Sequence, residues 1–425
     1  MNLPSIDDCR EYFMRYERPL IIAVPILVII WTLVNSTLNG WGDVDNYYEN
    51  ISSVVDRHLM PYSDAEFEYP PLMLFFFLIP KLFSYDLDSF HVSYLIFTSI
   101  FMAVNAWLMI DVTKRCSGSV HRIVFVILTW MVFSNNFIFC RADIFVSALV
   151  LWGIVLYLAG KPGWASVLLA LATMTKLYPV LLFGVLMAMF LVRKDWKQIA
   201  RCVLLFTAVC VLTELPFLIN DASTAFAYLG YHSDRGLQMQ SVVASVFLIY
   251  GMISLGSVEI VNSHHSETIV NSVADAIAPY MNTVLMAAII IFMLWALVRM
   301  WRMHDKEKMD PCLILMPIIV MIFITFSKVY SSQYLIWVIT LLPLVLLPVL
   351  TERDTRMVMI SYLVFGSFVM MDAVIYEQLC NLEPLGVMIE VCKNISHLVF
   401  LVVLVRLFYG HTKVTGDIGD RCQDQ

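Results

Sequence analysis

The chain alternates long apolar runs with short polar segments, and the apolar runs are nearly free of Asp, Glu, Lys and Arg. A helix of about 20 apolar residues satisfies its own backbone hydrogen bonds while crossing ~30 Å of hydrocarbon, so such runs predict transmembrane helices. Transmembrane β-strands would instead give alternating segments of about ten residues. We predict about twelve spans, at 19–38, 89–111, 121–138, 143–160, 163–175, 177–193, 199–219, 276–299, 310–327, 333–350, 356–376 and 391–409.

Two stretches decide how these spans alternate across the membrane. We predict two short helices in 163–193 and a re-entrant or interfacial helix in 241–257; the alternative is one helix in the first stretch and a full span in the second. Lys and Arg favour the cytoplasmic side. With the N-terminus inside, the first interpretation places 20 basic residues inside and 7 outside, and the alternative places 17 and 10. The first interpretation therefore predicts cytoplasmic N- and C-termini.

The composition agrees with a membrane protein. Hydrophobic residues make up 60% of the 425 residues and charged residues 14%, whereas soluble domains carry roughly 45–50% and about 25%. This excludes a soluble or disordered chain. The net charge of −7 without a basic tract argues against nucleic acid as a partner. We predict an all-α polytopic membrane protein in which residues 1–425 form one transmembrane domain.

Two long segments are predicted on the outer side. The first, 39–88, contains an apolar stretch at 69–83 that is too short to cross comfortably and begins with Tyr-Pro-Pro. Proline is favoured at the first position of a helix, so we predict interfacial helices in this segment. The second segment, 220–275, contains the predicted re-entrant helix.

The first outer segment is rich in carboxylates, with seven acids between Asp43 and Glu68. A solvated acidic loop is the plain explanation. However, Asp43 and Asp45 follow the first predicted span closely and lie among aromatic residues, including Tyr47. Partial desolvation at a membrane boundary suits a carboxylate to act as a general base.

Isolated cations mark the other outer turns. A single Arg–Asp pair at a helix end is usually a cap or an ion pair, and a single Lys at a span end usually snorkels to the interface. Four separate turns nevertheless place a cation on the face that carries the acidic segment, which suits a phosphate whose alkyl chain stays in the bilayer. These cations are Arg141, Lys176, Arg235 and Lys328, with His232 as a weaker candidate.

In their order and spacing, these residues resemble the GT-C superfamily of membrane glycosyltransferases, and specifically the polyprenol-phosphate-mannose-dependent mannosyltransferases of glycosyltransferase family 87. The resemblance runs from about residue 40 to 340 and implies a GT-C-like bundle. The matching motifs are Asp43, Tyr47–Tyr48, Pro61–Tyr62, Tyr69–Pro70–Pro71, Arg141–Asp143, Lys176–Pro179, Tyr231–Gln238 and Ser331–Trp337. One departure is Gln240, where such proteins often have Glu before a Ser.

The resemblance implies inverting transfer of a mannose-like sugar from a polyprenyl-phosphate donor to a lipid-linked or glycan acceptor on the non-cytoplasmic side. Asp43 is expected to be the base, with Asp45 as the alternative because the Asp-Val-Asp sequence also resembles the Asp-x-Asp of related enzymes. The four cations and His232 are expected at the donor phosphate. The residues expected at the sugar or acceptor are Tyr47, Glu68, Tyr69, Asp143, Tyr231, Gln240 and Gln333. For the tyrosines, an interfacial aromatic belt is the alternative. We expect no cofactor and no obligatory metal, although an Asp-x-Asp can bind a divalent ion.

Three other hypotheses remain at this point. A transporter or flippase of lipid-linked sugars would place charges near the bilayer midplane and often shows repeats, neither of which is evident here. An enzyme that uses arabinofuranose or glucose, or a glycan-to-lipid ligase, is not distinguished by sequence. A non-catalytic scaffold is the third. We expect a multi-pass protein of the plasma membrane, with the active site outside.

Overall fold

The computed structural model describes residues 26–27, 30, 42–117, 120–133, 141–231, 235–254, 257–263, 266–303, 310–346 and 351–412. Within these residues the protein is helical, apart from one small antiparallel sheet. The all-α, multi-spanning class predicted from the sequence is confirmed. The predicted span at 19–38 lies outside the described residues, except for residues 26, 27 and 30.

The helices have the following bounds in chain order. The first eight are α1 (Val44–Val55), α2 (Met73–Leu82), α3 (Leu87–Ser117), α4 (Val120–Phe133), α5 (Asp143–Leu158), α6 (Pro162–Thr173), α7 (Pro179–Arg193) and α8 (Trp196–Asn220). The others are α9 (Ala227–Tyr231), α10 (Ala244–Ile253), α11 (Ser272–Trp301), α12 (Leu315–Phe326), α13 (Leu335–Val345), α14 (Glu352–Val374), α15 (Tyr376–Cys380) and α16 (Pro384–His411). Short 3₁₀ turns at Asp310–Ile314 and Ser332–Tyr334 precede α12 and α13.

Five helices among the described residues are long and apolar enough to cross a membrane, and they make the protein an integral membrane protein. They are α3, α8, α11, α14 and α16. Several shorter apolar helices, of 10–17 residues, lie between them. The total of about twelve spans stays a prediction.

In the two ambiguous stretches, the helix bounds agree with the first interpretation, while a re-entrant or interfacial position of the second stretch stays a prediction. Residues 163–193 contain two helices, α6 and α7, separated by a break before Pro179. The stretch 241–257 contains α10, which has ten residues and is therefore too short to cross the hydrocarbon by itself. The helix predicted at 69–83 is present as α2, but it begins at Met73 rather than at the prolines.

The described chain divides into two compact units. The first consists of Met1–Val180, Cys202–His232 and Gln333–Pro348, and the second of Leu181–Arg201, Ser233–Ser332 and Val349–Gln425. A single domain over 1–425 stays a prediction.

Aromatic rings hold the amphipathic α1 and the short α2 in the first unit. The ring of Tyr47 stacks on Phe77, with centroids 4.5 Å apart, and Phe76 stacks on Phe145 of α5 at 4.8 Å. Phe76, Phe77 and Phe145 are all buried. Ring pairs of this kind contribute roughly 0.5–1.5 kcal/mol beyond the area they bury. The acidic segment that the sequence analysis predicts on the outer side is therefore anchored on the helical core and is not a solvated loop throughout.

A small sheet, which the sequence analysis did not predict, belongs to the second unit. Strand β1 (Leu237–Gln238) pairs antiparallel with β3 (Ser266–Val270), and β3 pairs antiparallel with β2 (Glu259–Ser263). Gly236 lies so close to β3 that a Cβ there would be 2.5 Å from Cγ2 of Thr268. A side chain at position 236 would therefore displace Thr268, so the glycine of the Arg-Gly-x-Gln segment lets the chain approach β3 closely.

Candidate active site

The first feature of the site is the pairing of Asp43 with Arg141. Gly42 has a positive φ of 58°, a conformation that glycine adopts without steric cost, and it turns the chain into α1. Asp43 occupies the N-cap of α1 but makes no side-chain cap hydrogen bond. Its carboxylate instead forms an ion pair with Arg141, and the two side chains are 32% and 27% exposed. The pair therefore remains accessible to a ligand.

A second contact fixes the start of α5 against α1. The backbone N–H of Ala142 donates to Oη of Tyr47 at 3.3 Å. Tyr47 is only 2% exposed. Burial raises the pKa of Tyr47 well above its usual value, so its hydroxyl stays protonated. Ala142 directly follows Arg141, so the tyrosine helps to hold the arginine opposite Asp43.

Glu68 and Tyr69 extend this cluster. Burial, followed by the charge of Glu68, raises the pKa of Tyr69, and the two side chains share a hydrogen bond. The hydroxyl of Tyr69 also shares a hydrogen bond with Tyr47. Glu68 and Tyr69 are half-buried. A hydrogen-bonded chain thus runs from a carboxylate of the first outer segment to the N-terminus of α5.

Asp143 is the centre of a second charged group. It is the first residue of α5, where a carboxylate is favoured by the helix dipole. Its Oδ1 accepts from Nζ of Lys176 at 2.6 Å and from Nε1 of Trp337 at 2.5 Å. Asp143 is 2% exposed, and the side chain of Lys176 is 18% exposed. Lys176 is thus not a simple snorkelling lysine, because it neutralises a buried acid.

Stacked rings join the Lys-x-Tyr-Pro segment to the segment that contains Trp337. The ring of Trp337 stacks on Tyr178 at 4.2 Å and on Tyr334 at 3.9 Å. The ammonium of Lys176 lies 5.0 Å from the centroid of Trp337, within the range of a cation–π contact. Two motifs that are distant in sequence therefore form one aromatic wall around Lys176.

The Tyr-Pro-Pro segment is tied to the same lysine turn. The N–H of Leu72 donates to the carbonyl of Met174 at 2.8 Å. This bond links the residue before α2 to the break between α6 and α7. The first unit thus brings Asp43, Arg141, the Asp143–Lys176 pair, Glu68 and Tyr69 into contacting groups around the N-terminus of α5.

Asp45 has a different environment from Asp43. Its Oδ1 lies 2.7 Å from Nε2 of His91 on α3, and its side chain is 58% exposed. The two aspartates of the Asp-Val-Asp sequence therefore have different partners. Within the described residues, three or more His, Cys, Asp or Glu side chains nowhere form a group that could hold a metal ion. Independence from metal stays a prediction.

The second unit contains Arg235 and Lys328 on segments that are joined through Gln238. The N–H of Gln238 donates to the carbonyl of Lys328 at 3.0 Å, and Oε1 of Gln238 accepts from the N–H of Tyr330 at 2.7 Å. Lys328 is 3% exposed, and Arg235 is half-buried. Gln238 was part of a matching motif, but its role in joining two segments had no signal in the sequence.

Gln240 binds a group that the sequence analysis missed. Its Nε2 donates to Oδ2 of Asp372 at 2.6 Å and to Oγ of Ser332 at 3.0 Å. Lys393, which the sequence analysis counted among the seven basic residues on the outer side, lies inside α16 and is fully buried. Its Nζ lies 2.7 Å from Oε2 of Glu390, one turn earlier in the same helix. Its side of the membrane stays a prediction.

Three of the site residues predicted from the sequence remain to be described. Tyr231 is half-buried at the end of α9, and Gln333 is half-buried in the turn before α13. His232 lies outside the described residues.

The comparison with protein families shows the family of this chain. The model of glycosyltransferase family 87 matches residues 67–327, more than half of the 425 residues. The chain belongs to glycosyltransferase family 87. The match confirms the resemblance drawn from the sequence motifs. The match begins after Asp43, Asp45 and Tyr47 and ends before Lys328 and Gln333, so those five positions rest on motif and geometry alone.

The other comparisons are less informative about this family 87 chain. No curated protein matches it. Among solved structures, it is similar to the crystal structure of ArnT from Cupriavidus metallidurans bound to undecaprenyl phosphate. The TM-score is 0.48 at 16% sequence identity, and the similarity covers 92% of this chain and 77% of that chain.

Proposed function

We propose that this glycosyltransferase moves a mannose-like sugar from a polyprenyl-phosphate donor to a hydroxyl of a lipid-linked or glycan acceptor, with inversion at the anomeric carbon. The proposed site faces the non-cytoplasmic side of a plasma membrane, and both termini are cytoplasmic. The observation that carries the proposal is the accessible Asp43–Arg141 pair beside the Asp143–Lys176 pair. These two ion pairs bring carboxylates and cations together at the start of α5.

In the proposed reaction, Asp43 accepts the proton of the acceptor hydroxyl as the oxygen attacks the anomeric carbon. The bond between that carbon and the phosphate oxygen breaks, and polyprenyl phosphate leaves. The phosphate gains negative charge as it changes from a diester to a monoester. Fixed cations stabilise such developing charge, and we assign this role to Arg141 and Lys176. Arg235, Lys328 and His232 stay phosphate candidates on their sequence motifs alone.

The ion pair suggests how donor binding prepares the base. A phosphate that binds the guanidinium of Arg141 competes with Asp43 for it, because both ligands are anionic oxygens that prefer its planar donor edge. Donor binding therefore releases the carboxylate of Asp43 next to the sugar. Asp45 is the less favoured base because it is paired with His91 at 2.7 Å and is more exposed.

We divide the other candidates between contact and positioning roles according to their burial and contacts. Tyr47 is buried with one face against Phe77, so we assign it to positioning Ala142 and Arg141 rather than to stacking on a sugar. Glu68, Tyr69 and Tyr231 are half-buried and suit contacts with sugar hydroxyls, as does Gln333. Asp143 positions Lys176.

The test is incubation of the purified protein in detergent with radiolabelled polyprenyl-phosphate mannose and a lipid extract. The proposal predicts label in a new glycolipid and free polyprenyl phosphate in equal amounts. A transporter or flippase leaves the donor intact, because it breaks no covalent bond of the lipid that it moves. Donors that carry glucose or arabinofuranose, offered in parallel, decide the sugar; preferred turnover of either would overturn the assignment of mannose.

A further inference from the structure

Glu214 is a buried acid on α8, in the part of that helix that belongs to the first unit. It is the only charged residue of α8 after Arg201, and it lies near the end that the sequence analysis predicts on the outer side. The nearby Leu212 and Leu215 are exposed, whereas Glu214 is only 3% exposed. An ionisable side chain buried in a membrane helix is costly and usually serves a function. The proposed reaction leaves this acid without a role.

The carboxyl group of Glu214 is only partly satisfied. The hydroxyl of Tyr228, on α9, donates to its Oε2 at 3.2 Å, which is longer than the range of about 2.5–3.0 Å that such bonds usually have. Its Oε1 is buried and has no hydrogen-bond partner in the part of the chain that the structure describes. None of the ion pairs among these residues includes Glu214. A buried acceptor without a donor is unfavourable, so Oε1 is suited to a donor from a ligand.

Aromatic rings surround this carboxyl group. The ring of Tyr62 lies 5.5 Å from that of Tyr228 and 5.1 Å from that of Phe217, which is on α8 one turn after Glu214. Burial, followed by the charge of Glu214, raises the pKa of both Tyr62 and Tyr228, so both hydroxyls stay protonated. Rings beside a hydrogen-bond acceptor suit a sugar, because the rings pack on its C–H face while the acceptor binds a hydroxyl.

The carboxyl group is tied to the first predicted outer segment. At the end of α8, Nδ2 of Asn220 donates to Oγ of Ser63 at 3.1 Å. The hydroxyl of Tyr62 donates to the carbonyl of Tyr69 at 2.7 Å. The ring of Tyr69 in turn lies edge-on to that of Tyr47, with centroids 6.1 Å apart. This series of contacts lies within the first unit and leads from the surroundings of Glu214 to those of Asp43.

We propose that Oε1 of Glu214 binds a hydroxyl of a sugar in the acceptor, so that the acceptor is a glycan or a glycolipid and not a lipid alcohol without a sugar. This inference rests on the proposed function, since it takes the acceptor as the ligand. The donor is assigned to Asp43, Arg141 and Lys176, and the tyrosines of the series stand between these residues and Glu214. An acid without a cation partner also disfavours an anionic phosphate but suits neutral hydroxyls.

Access to the carboxyl group depends on α9. Of the five residues of this helix, only Tyr228 is buried, and its hydrogen bond to Glu214 is long. A small movement of α9 therefore opens the carboxyl group to the acceptor, and a sugar hydroxyl supplies the donor that Oε1 lacks.

Steady-state kinetics of Glu214 variants test the proposal. Glu214→Leu removes the acceptor atom and is expected to raise the KM for the acceptor by about tenfold or more, while the KM for the donor stays within about twofold. Glu214→Gln keeps one acceptor oxygen and should give a smaller rise. The melting temperature checks that both variants fold. An unchanged acceptor KM in Glu214→Leu, or an equal rise in the two KM values, would overturn the proposal.

Two further variants separate ligand binding from a structural role. If Glu214 served only to hold Tyr228, Tyr228→Phe would raise the acceptor KM as much as Glu214→Leu does; the proposal expects a smaller rise, and an equal one would contradict it. The matched control is Thr213→Val, next to Glu214 on α8. The hydroxyl of Thr213 donates to the carbonyls of Val209 and Cys210 within its own helix, so this variant should leave both KM values unchanged.

A binding measurement needs no turnover. The protein is kept in a detergent without a sugar headgroup, since such a headgroup would compete for the site, and octyl mannoside, octyl glucoside or octyl galactoside is added. A ligand that binds only the folded state raises the melting temperature, and we expect a rise of about 2 °C or more in the wild type with at least one of the three. The rise should be absent in Glu214→Leu.

The outcomes of this measurement are distinct from those of the transfer assay. Equal rises in the wild type and in Glu214→Leu, or no rise with any of the three glycosides, would overturn the sugar site at Glu214. If the wild type transfers no sugar from any donor, the proposed function fails, while a rise that depends on Glu214 would still show that this acid binds a sugar.

Discussion

The guanidinium of Arg141 pairs with the carboxylate of Asp43, although Asp43 sits at the N-cap of a helix where a carboxylate normally binds backbone N–H groups. The carboxylate of Asp43 thus binds a cation instead of capping its own helix. The proposed function takes Asp43 as the base, and this gives the first prediction.

Asp43→Asn is expected to lower transfer by about 10²–10⁴-fold with unchanged folding, because the amide cannot accept the acceptor proton. Initial rates with labelled donor measure the effect, and the melting temperature checks the fold. The matched control is Asp45→Asn, which changes the neighbouring, exposed aspartate and should stay within about threefold of the wild type on the same rationale. If the Asp45 variant is the inactive one, the assignment of the base is reversed.

Lys176→Met is expected to destabilise the protein by about 3–5 kcal/mol, because it leaves the carboxylate of Asp143 buried without its cation. Adding Asp143→Asn should recover most of this loss, since the buried charge is then removed as well. Equilibrium unfolding in mixed micelles measures the change. Lys161→Met, at an exposed position, is the control and should stay within about 0.5 kcal/mol. Equal effects at both lysines would contradict the pairing.

Trp337→Phe keeps an aromatic ring between Tyr178 and Tyr334 but removes the N–H that donates to Asp143. The expected loss is about 1–3 kcal/mol, the cost of a buried hydrogen bond to a charged acceptor. Trp164→Phe changes a tryptophan that is 61% exposed and should be near neutral. Thermal unfolding of the two variants shows whether the N–H of Trp337 or its ring contributes more to the stability of the protein.

The outer segment should show a pH-dependent stability that depends on Asp56. The hydrogen bond from Lys81 lowers the pKa of Asp56 from its usual value. A lowered pKa in the folded state means that the stabilisation is present above the unfolded pKa of about 3.9 and is lost as the pH falls through the folded pKa. The difference in melting temperature between wild type and Asp56→Asn should therefore shrink between pH 6 and pH 3. A constant difference would contradict the prediction.

Much of the site was predictable because its residues lie in short motifs at the ends of apolar runs. Asp43, Arg141 and Lys176 were selected as charges beside predicted spans, and the structure places all three in the first unit. Their partners were not predictable. Nothing local to the sequence indicates that Arg141 pairs with Asp43 while its neighbour Asp143 pairs with Lys176.

The contacts of Asp372 and Lys393, near the C-terminal end of the chain, were the largest feature that the sequence did not predict. Asp372 and Lys393 looked like charges near span ends, and no motif marked them. Their contacts with Gln240 arise from the packing of α14 and α16, which brings together residues far apart in sequence. The small sheet was missed for a related reason, because a two-residue strand such as β1 has no periodicity to detect.

The sequence by itself determined that the protein is helical, that it lies in a membrane, and which residue types border its spans. Burial in lipid follows from hydrophobicity along consecutive residues, and this is local information. Only the tertiary structure decided which carboxylate faces which cation and which amide meets Asp372. Those pairings depend on how helices pack over long sequence separations, and in a medium of low dielectric constant a shift of a few ångströms decides whether a charge is neutralised.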